Sequence, residues 1–193
     1  MLANRIDFTA RMTAVQPKDT ALGLFFTTVF SLIEQQAGPQ VVAQVRSGEL
    51  AKDYSELRMY PLKDFLQLIF TTAEVLEGYL GSTEAVFRAC GEHSMNRYQS
   101  GPGRFLFSVV ARGDPHKLFS LAQIGYSTAV NYGRREYKAI SPKSGVLQVQ
   151  GDVVPPAYHE GVILGALKVL KLEGRARSRA LGLDRAQYDI TWQ

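Results

Sequence analysis

The stretch REYKAISPKSGVLQVQGDVVPPAYHEGVILGALKVLKLEGRARSRALGLDRAQYDITW, residues 135–192, decides the fold. REYKAIS and GVLQVQG alternate in polarity on either side of Pro142-Lys143-Ser144, which predicts a short antiparallel hairpin. Pro155-Pro156 ends that segment and starts AYHEGVILGALKVLKLEG, which has the length and apolar spacing of a helix. Gly161 and Gly165 stand four residues apart in it, a small ridge that another backbone or a sheet can approach closely. RARSRALG and AQYDITW then return to a period of two around Leu183-Asp184-Arg185, so a second hairpin follows the helix. Two hairpins around one helix give a small four-stranded antiparallel sheet, with the Gly161/Gly165 helix expected near it.

Upstream, the periodicity is helical. Residues 1–18 read as a polar, irregular and flexible N-terminus, after which Asp19 or Thr20 is placed to cap ALGLFFTTVFSLIEQQAG. Leu22, Phe25, Phe26, Val29, Phe30 and Ile33 form its apolar stripe, and Gly38-Pro39 stops it. YPLKDFLQLIFTTAEVLEG, with Pro61 in its first turn, predicts a deeply packed helix. Another runs from Gly81-Ser82 to about Tyr98, with Val86, Phe87, Cys90 and Ser94 on one side. Gly101-Pro102-Gly103 breaks it; Arg104–Val110 reads as a short helix or a strand, and Asp114-Pro115 caps a further helix through HKLFSLAQIGYSTAVNYG. The expected class is therefore α+β: a helical layer on a four-stranded antiparallel sheet, in the order helices-β-β-α-β-β. A chain of 193 residues without a long linker or repeat is expected to form one domain over 1–193.

Composition narrows the chemistry. One cysteine excludes an internal disulfide and a zinc-finger pattern, and no secretory leader or membrane span is read, so a reducing cytoplasm is the expected compartment. The net charge of +4 arises wholly downstream: residues 1–133 carry 12 basic and 12 acidic side chains, residues 134–193 carry 10 and 6. Arg175, Arg177 and Arg179 alternate along the expected strand and stand on one face, with Lys168 and Lys171 at the preceding helix end. That arrangement suits a solvated strand exterior, or a surface that receives an acidic protein, a phosphate or a membrane headgroup. Nucleic acid is not expected, because no stacking aromatics are interleaved with the basic residues.

His93, His116 and His159 are too dispersed for a local metal motif, and Asp114, Asp152, Glu160 and Asp184 suit caps, strand ends or turns. No metal, cofactor or catalytic set is read. Cys90 and His93, three apart on a helix, supply the one enzyme alternative: a cysteine-dependent acyl transfer or hydrolysis, which needs a lowered thiol pKa and an orienting third group. The favoured role for Cys90 is apolar packing.

DTALGLFF, YPLKDFLQLIFTTAEVL, FRACGEHSMNRYQSGPGRFLF, ARGDPHKLFSLA and the terminal YDITW, in that order, resemble the DUF2378 family of small proteins abundant in myxobacteria. The element order also looks like the superfamily that joins four-vinyl-reductase-type domains, haem nitric-oxide-binding domains and small TRAPP subunits. That resemblance implies a fold and a ligand-sensing or assembly role. It places His116 near the iron-binding histidine of the haem branch, but PPAYHEG lacks the YxSxR signature of that branch. The single Cys90 does not supply a cysteine-rich centre for the vinyl-reductase branch. The expectation is a non-enzymatic signalling or scaffolding domain, self-associating as a homodimer. It would bind an acidic protein partner or a small apolar ligand in a groove between helices and sheet, lined by Cys90, His93, Phe105 and Tyr126.

Overall fold

In the computed structural model, which describes residues 2–101 and 113–193, the chain opens with helix α1 (Leu2–Ala14) rather than an irregular segment. The reason is tertiary. Arg11 is buried and donates to Val153 O at 2.8 Å and Leu183 O at 3.2 Å, while Phe8 packs on Phe70 with ring centroids 5.0 Å apart. Neither anchor is visible in the local pattern.

Strand β1 (Thr20–Leu22) comes next and pairs antiparallel with β2 (Met59–Pro61), two short strands at positions where helix starts are expected from the sequence. Helix α2 therefore begins later, at Gly23–Ala37, and Asp19 does not cap it; its carboxylate accepts from Gln16 N at 3.0 Å instead. The orphan N–H groups at the helix start are satisfied by neighbouring backbone, since Gly23 N donates to Arg58 O and Leu24 N to Glu56 O. The same stitching starts α4 (Leu62–Leu80), whose Leu62 N donates to Asp19 O at 2.8 Å with Pro61 at the cap position.

Between them lie α3 (Pro39–Val45) and one turn of 3-10 helix, Gly48–Leu50. Helix α5 (Thr83–Ser100) is capped by Ser82 Oγ, which accepts from Ala85 N at 3.1 Å. Phe26, Val29 and Ile33 of α2 pack with Phe65, Leu66, Ile69 and Leu76 of α4 and with Val86, Phe87 and Cys90 of α5 into one apolar core. The expected helix after Asp114 divides into α6 (Pro115–Ser120) and α7 (Ala122–Ser127), capped by the Asp114 carboxylate on His116 N and Lys117 N. The reading of Arg104–Val110 lies outside the described residues.

The C-terminal third contains β3 (Arg134–Ser141), β4 (Ser144–Gln150), α8 (Pro156–Val169), β5 (Gly174–Ala180) and β6 (Arg185–Trp192). All sheet pairs are antiparallel in the spatial order β3-β4-β6-β5, with Leu147 opposite both Tyr137 and Tyr188. Period-two alternation sends Leu147, Val149, Tyr188, Ile190 and Trp192 to one face, where they meet Ile163, Ala166 and Leu167 of α8 in a second core.

The glycine ridge of α8 faces elsewhere. A Cβ on Gly161 would sit 1.9 Å from Arg88 O of α5, and one on Gly91 would sit 1.9 Å from Tyr158 O. The ridge therefore lets two helix backbones meet, with Gly91 as its unforeseen counterpart, and the sheet packs against the other side of α8. This crossing holds α8 as a middle layer. Among the described residues, no helix is long and apolar enough to cross a membrane.

Candidate ligand cavity

A cavity of about 100 Å³ lies where α5, α6, α7 and α8 meet the inner face of the sheet. Its wall is apolar over most of its extent: Phe25 and Phe65 come from the helical core, Met95 from α5, Phe119 from α6, Leu147 from β4 and Ile163 from α8. Polar atoms enter through Ser94, Tyr126, Tyr132, Tyr158 and His159.

One corner carries a buried ionic network. The Arg135 guanidinium pairs with Asp152, donates to Tyr132 O at 2.6 Å and stacks 4.1 Å from the Tyr126 ring centroid. His159 Nε2 lies 3.1 Å from Asp152 Oδ2, while His159 Nδ1 meets the Tyr126 hydroxyl at 2.9 Å. Val154 N donates to Asp152 Oδ1 at 3.0 Å, so the loop between β4 and α8 is part of the cluster. Burial alone would raise the Asp152 pKa, but His159, Arg135 and the Val154 N–H outweigh it and hold the carboxyl down at about 2. Burial also pushes the Tyr126 and Tyr158 hydroxyls well above their ordinary range, so both stay protonated.

A pH dependence follows. Because the folded pKa of Asp152 lies below the ordinary aspartate value near 3.9, its contribution is complete above that value and is lost as pH falls toward 2. Thermal midpoints measured from pH 5 to pH 2 are expected to fall more steeply for the wild type than for Asp152→Asn. Parallel curves would contradict the assignment.

Of the residues expected to line a groove, Tyr126 does so, and Phe105 lies outside the described residues. Cys90 does not reach the cavity wall: it is fully enclosed in the first core, where burial pushes its thiol up to about 12. His93 is also off the wall, and burial lowers its pKa despite the opposing charge of Glu92. A thiol with so little thiolate at neutral pH is a poor nucleophile. Cys90 is accordingly expected to resist a disulfide labelling reagent in the native protein and to react on unfolding; rapid native labelling would refute this placement.

The basic residues come from two places, the end of α8 and strand β5. Lys168 pairs with Glu92 of α5, and Lys171 occupies a left-handed position (φ 60°) just past α8. Arg175, Arg177 and Arg179 alternate with Ala176 and with Ser178, which bonds Glu160 of α8, so the arginines stand on the outer face of the edge strand β5.

Sequence reasoning missed the roles of Arg135, Asp152, His159, Tyr158 and Ser94. A signal was present in QGDVVPP: Asp152 lies beside apolar Val153 and Val154, and the hairpin places Arg135 opposite Val149, close enough to neutralise it. His116 is engaged elsewhere, with Nδ1 at 2.7 Å from the Tyr137 hydroxyl, Nε2 at 3.2 Å from Pro142 O and its ring 4.8 Å from that of Trp192. Among the described residues, no three His, Cys, Asp or Glu side chains converge as a metal-binding group.

Comparison with known proteins places these features in a recognised architecture. A family model described as "Protein of unknown function (DUF2378)" matches residues 14–193. No curated protein matches the chain. Among solved structures, the Fe(II) unliganded H-NOX protein from K. algicida superposes with a TM-score of 0.70 at 14% identity, covering 89% of this chain and 96% of that one. The H-NOX protein from S. oneidensis in the Fe(II)NO ligation state gives 0.67 at 14% identity, covering 89% and 99%. A third structure, concerned with haem redox potential and porphyrin distortion, gives 0.66 at 13% identity, covering 88% and 99%. At these identities the likeness establishes the fold.

Proposed function

This chain belongs to the DUF2378 family, and from that premise we propose that it is a non-enzymatic sensing domain that takes a small apolar molecule into the cavity between its helices and its sheet. The observation that carries the reading is the 100 Å³ apolar cavity bounded by Phe25, Met95, Phe119 and Ile163. That size is comparable with engineered apolar cavities of about 150 Å³ that stay dry and bind benzene or xenon.

Haem, which the fold neighbours suggest, does not fit the described residues. Both ring nitrogens of His159 face Tyr126 and Asp152, and both of His116 face Tyr137 and Pro142, so neither imidazole offers a free nitrogen to iron at the cavity. No arginine or lysine is on the described wall to meet propionates, and the volume is below the roughly 300 Å³ at which drug-sized pockets begin.

Benzene is the simplest probe. Saturable stabilisation of the wild type against heat, abolished by the cavity-filling Ala122→Leu, would support the reading, because a ligand bound only by the native state raises the midpoint. No shift at benzene saturation would overturn it. We assign the domain to a cytoplasmic signalling role in which the exposed arginines of β5 receive an acidic protein surface and Leu181 and Leu183, exposed at the β5–β6 turn, support self-association. Light scattering across concentration tests the latter, a persistent monomer opposing it.

A further inference from the structure

Among the described residues, two hydroxyl groups on the cavity wall have no well-formed hydrogen bond. Tyr158 is 5% exposed and Ser94 is 1% exposed, and both line the cavity. The Tyr158 hydroxyl lies beside Ser94 Oγ, yet neither atom has a partner of good geometry. Each hydroxyl can donate one hydrogen bond, and leaving such a group buried and unpaired is unfavourable. The surrounding fold explains why no group of the described residues completes them. Gly91 and Gly161 bring the α5 and α8 backbones together one turn away, which fixes both side chains at the helix crossing, and Phe65 packs edge-on against the Tyr158 ring at 5.6 Å. The neighbouring Tyr126 hydroxyl is committed, since it already meets His159 Nδ1.

We propose that the Ser94 and Tyr158 hydroxyls are the polar anchor of the cavity, and that its ligand is a small neutral molecule with an apolar body and one carbonyl-type oxygen. One oxygen with two lone pairs can accept from both hydroxyls, which a hydrocarbon cannot do. Tyr158 remains protonated, so its O–H is available to donate. A carboxylate is disfavoured because the cation that the described residues place in this region, Arg135, is already paired with Asp152. The apolar wall sets the remainder of the ligand, and its volume limits that remainder to a single small ring or a short chain.

This assignment rests on the cavity reading above, and the test separates the two. Cyclopentanone and methylenecyclopentane have nearly the same shape and differ in the carbonyl oxygen. Dissociation constants for both are measured by ligand-observed NMR on the wild type, Tyr158→Phe and Ser94→Ala. The ratio of ketone to hydrocarbon affinity is expected to fall about tenfold in each variant that folds, with hydrocarbon affinity nearly unchanged. Binding of both probes with the same ratio in wild type and variants would overturn the anchor and leave the apolar cavity standing. Failure of both probes to bind the wild type would overturn the cavity reading and the anchor with it. The wild-type and Ser94→Ala measurements keep the proposal exposed to refutation if Tyr158→Phe does not fold.

Discussion

Gly161→Ala is expected to destabilise the protein by about 3 kcal/mol or more, although alanine is the better helix former. The intrinsic gain from Gly to Ala in a helix is about 1 kcal/mol. Against it stands a Cβ 1.9 Å from Arg88 O and 2.8 Å from Glu92 N, both backbone atoms of α5 that cannot rotate away. Overpacking typically costs about 1–3 kcal/mol where side chains can adjust, and a backbone obstacle belongs at or above the top of that range. Relief would require α8 to move off α5, which would disturb the first core and the sheet packed on its other side. Gly78→Ala is the control, since nothing lies within 4 Å of a Cβ there and helix propensity should prevail. Urea unfolding of both variants is the measurement. Similar midpoints for the two would show that α5 and α8 do not cross at contact distance.

Asp152→Ala is expected to cost about 3–5 kcal/mol, the range for removing one partner of a buried ion pair. The side chains of Arg135 and Asp152 are both fully inaccessible to solvent, so the guanidinium left behind could not recover its charge pairing from water. His159 would lose the carboxylate 3.1 Å from its Nε2 as well. The double variant Asp152→Ala/Arg135→Met removes the stranded charge along with its partner, and it should be more stable than Asp152→Ala alone. Denaturant midpoints for the two single variants and the double variant measure this coupling. Strict additivity, with the double variant the least stable, would mean that the pair is not energetically buried.

The C-terminal third was the most legible part of the chain because its alternation is local. Leu147, Val149, Tyr188 and Ile190 each occupy an every-other position, and burying one face dictates which way they point. Ser82 and Asp114 were readable for the same reason: each caps N–H groups within three residues of itself. The features that escaped depend on distant partners. β1 and β2 are three residues each and exist through pairing about 40 residues apart, while α1 is fixed by Arg11 reaching the loops around Val153 and Leu183. The direction of the Gly161 ridge was hidden because a small residue permits a close approach without naming what approaches.

The candidate site was less legible than the fold. Tyr126 lines the cavity, whereas Cys90, expected close to Phe105 and Tyr126, is turned by its helix into the first core. His159 and Asp152 look like unrelated residues until Tyr126 and Arg135 are brought across from α7 and β3. Ser94 and Tyr158 carry no sequence signature at all, since their significance lies in the hydrogen bonds they lack.

The most direct measurement is a crystal structure of the protein under xenon pressure. Xenon density enclosed by Phe25, Met95, Phe119 and Ile163 is the predicted result, with no comparable density elsewhere in the core. A core in which those four side chains close on one another and exclude xenon would contradict the ligand-binding account.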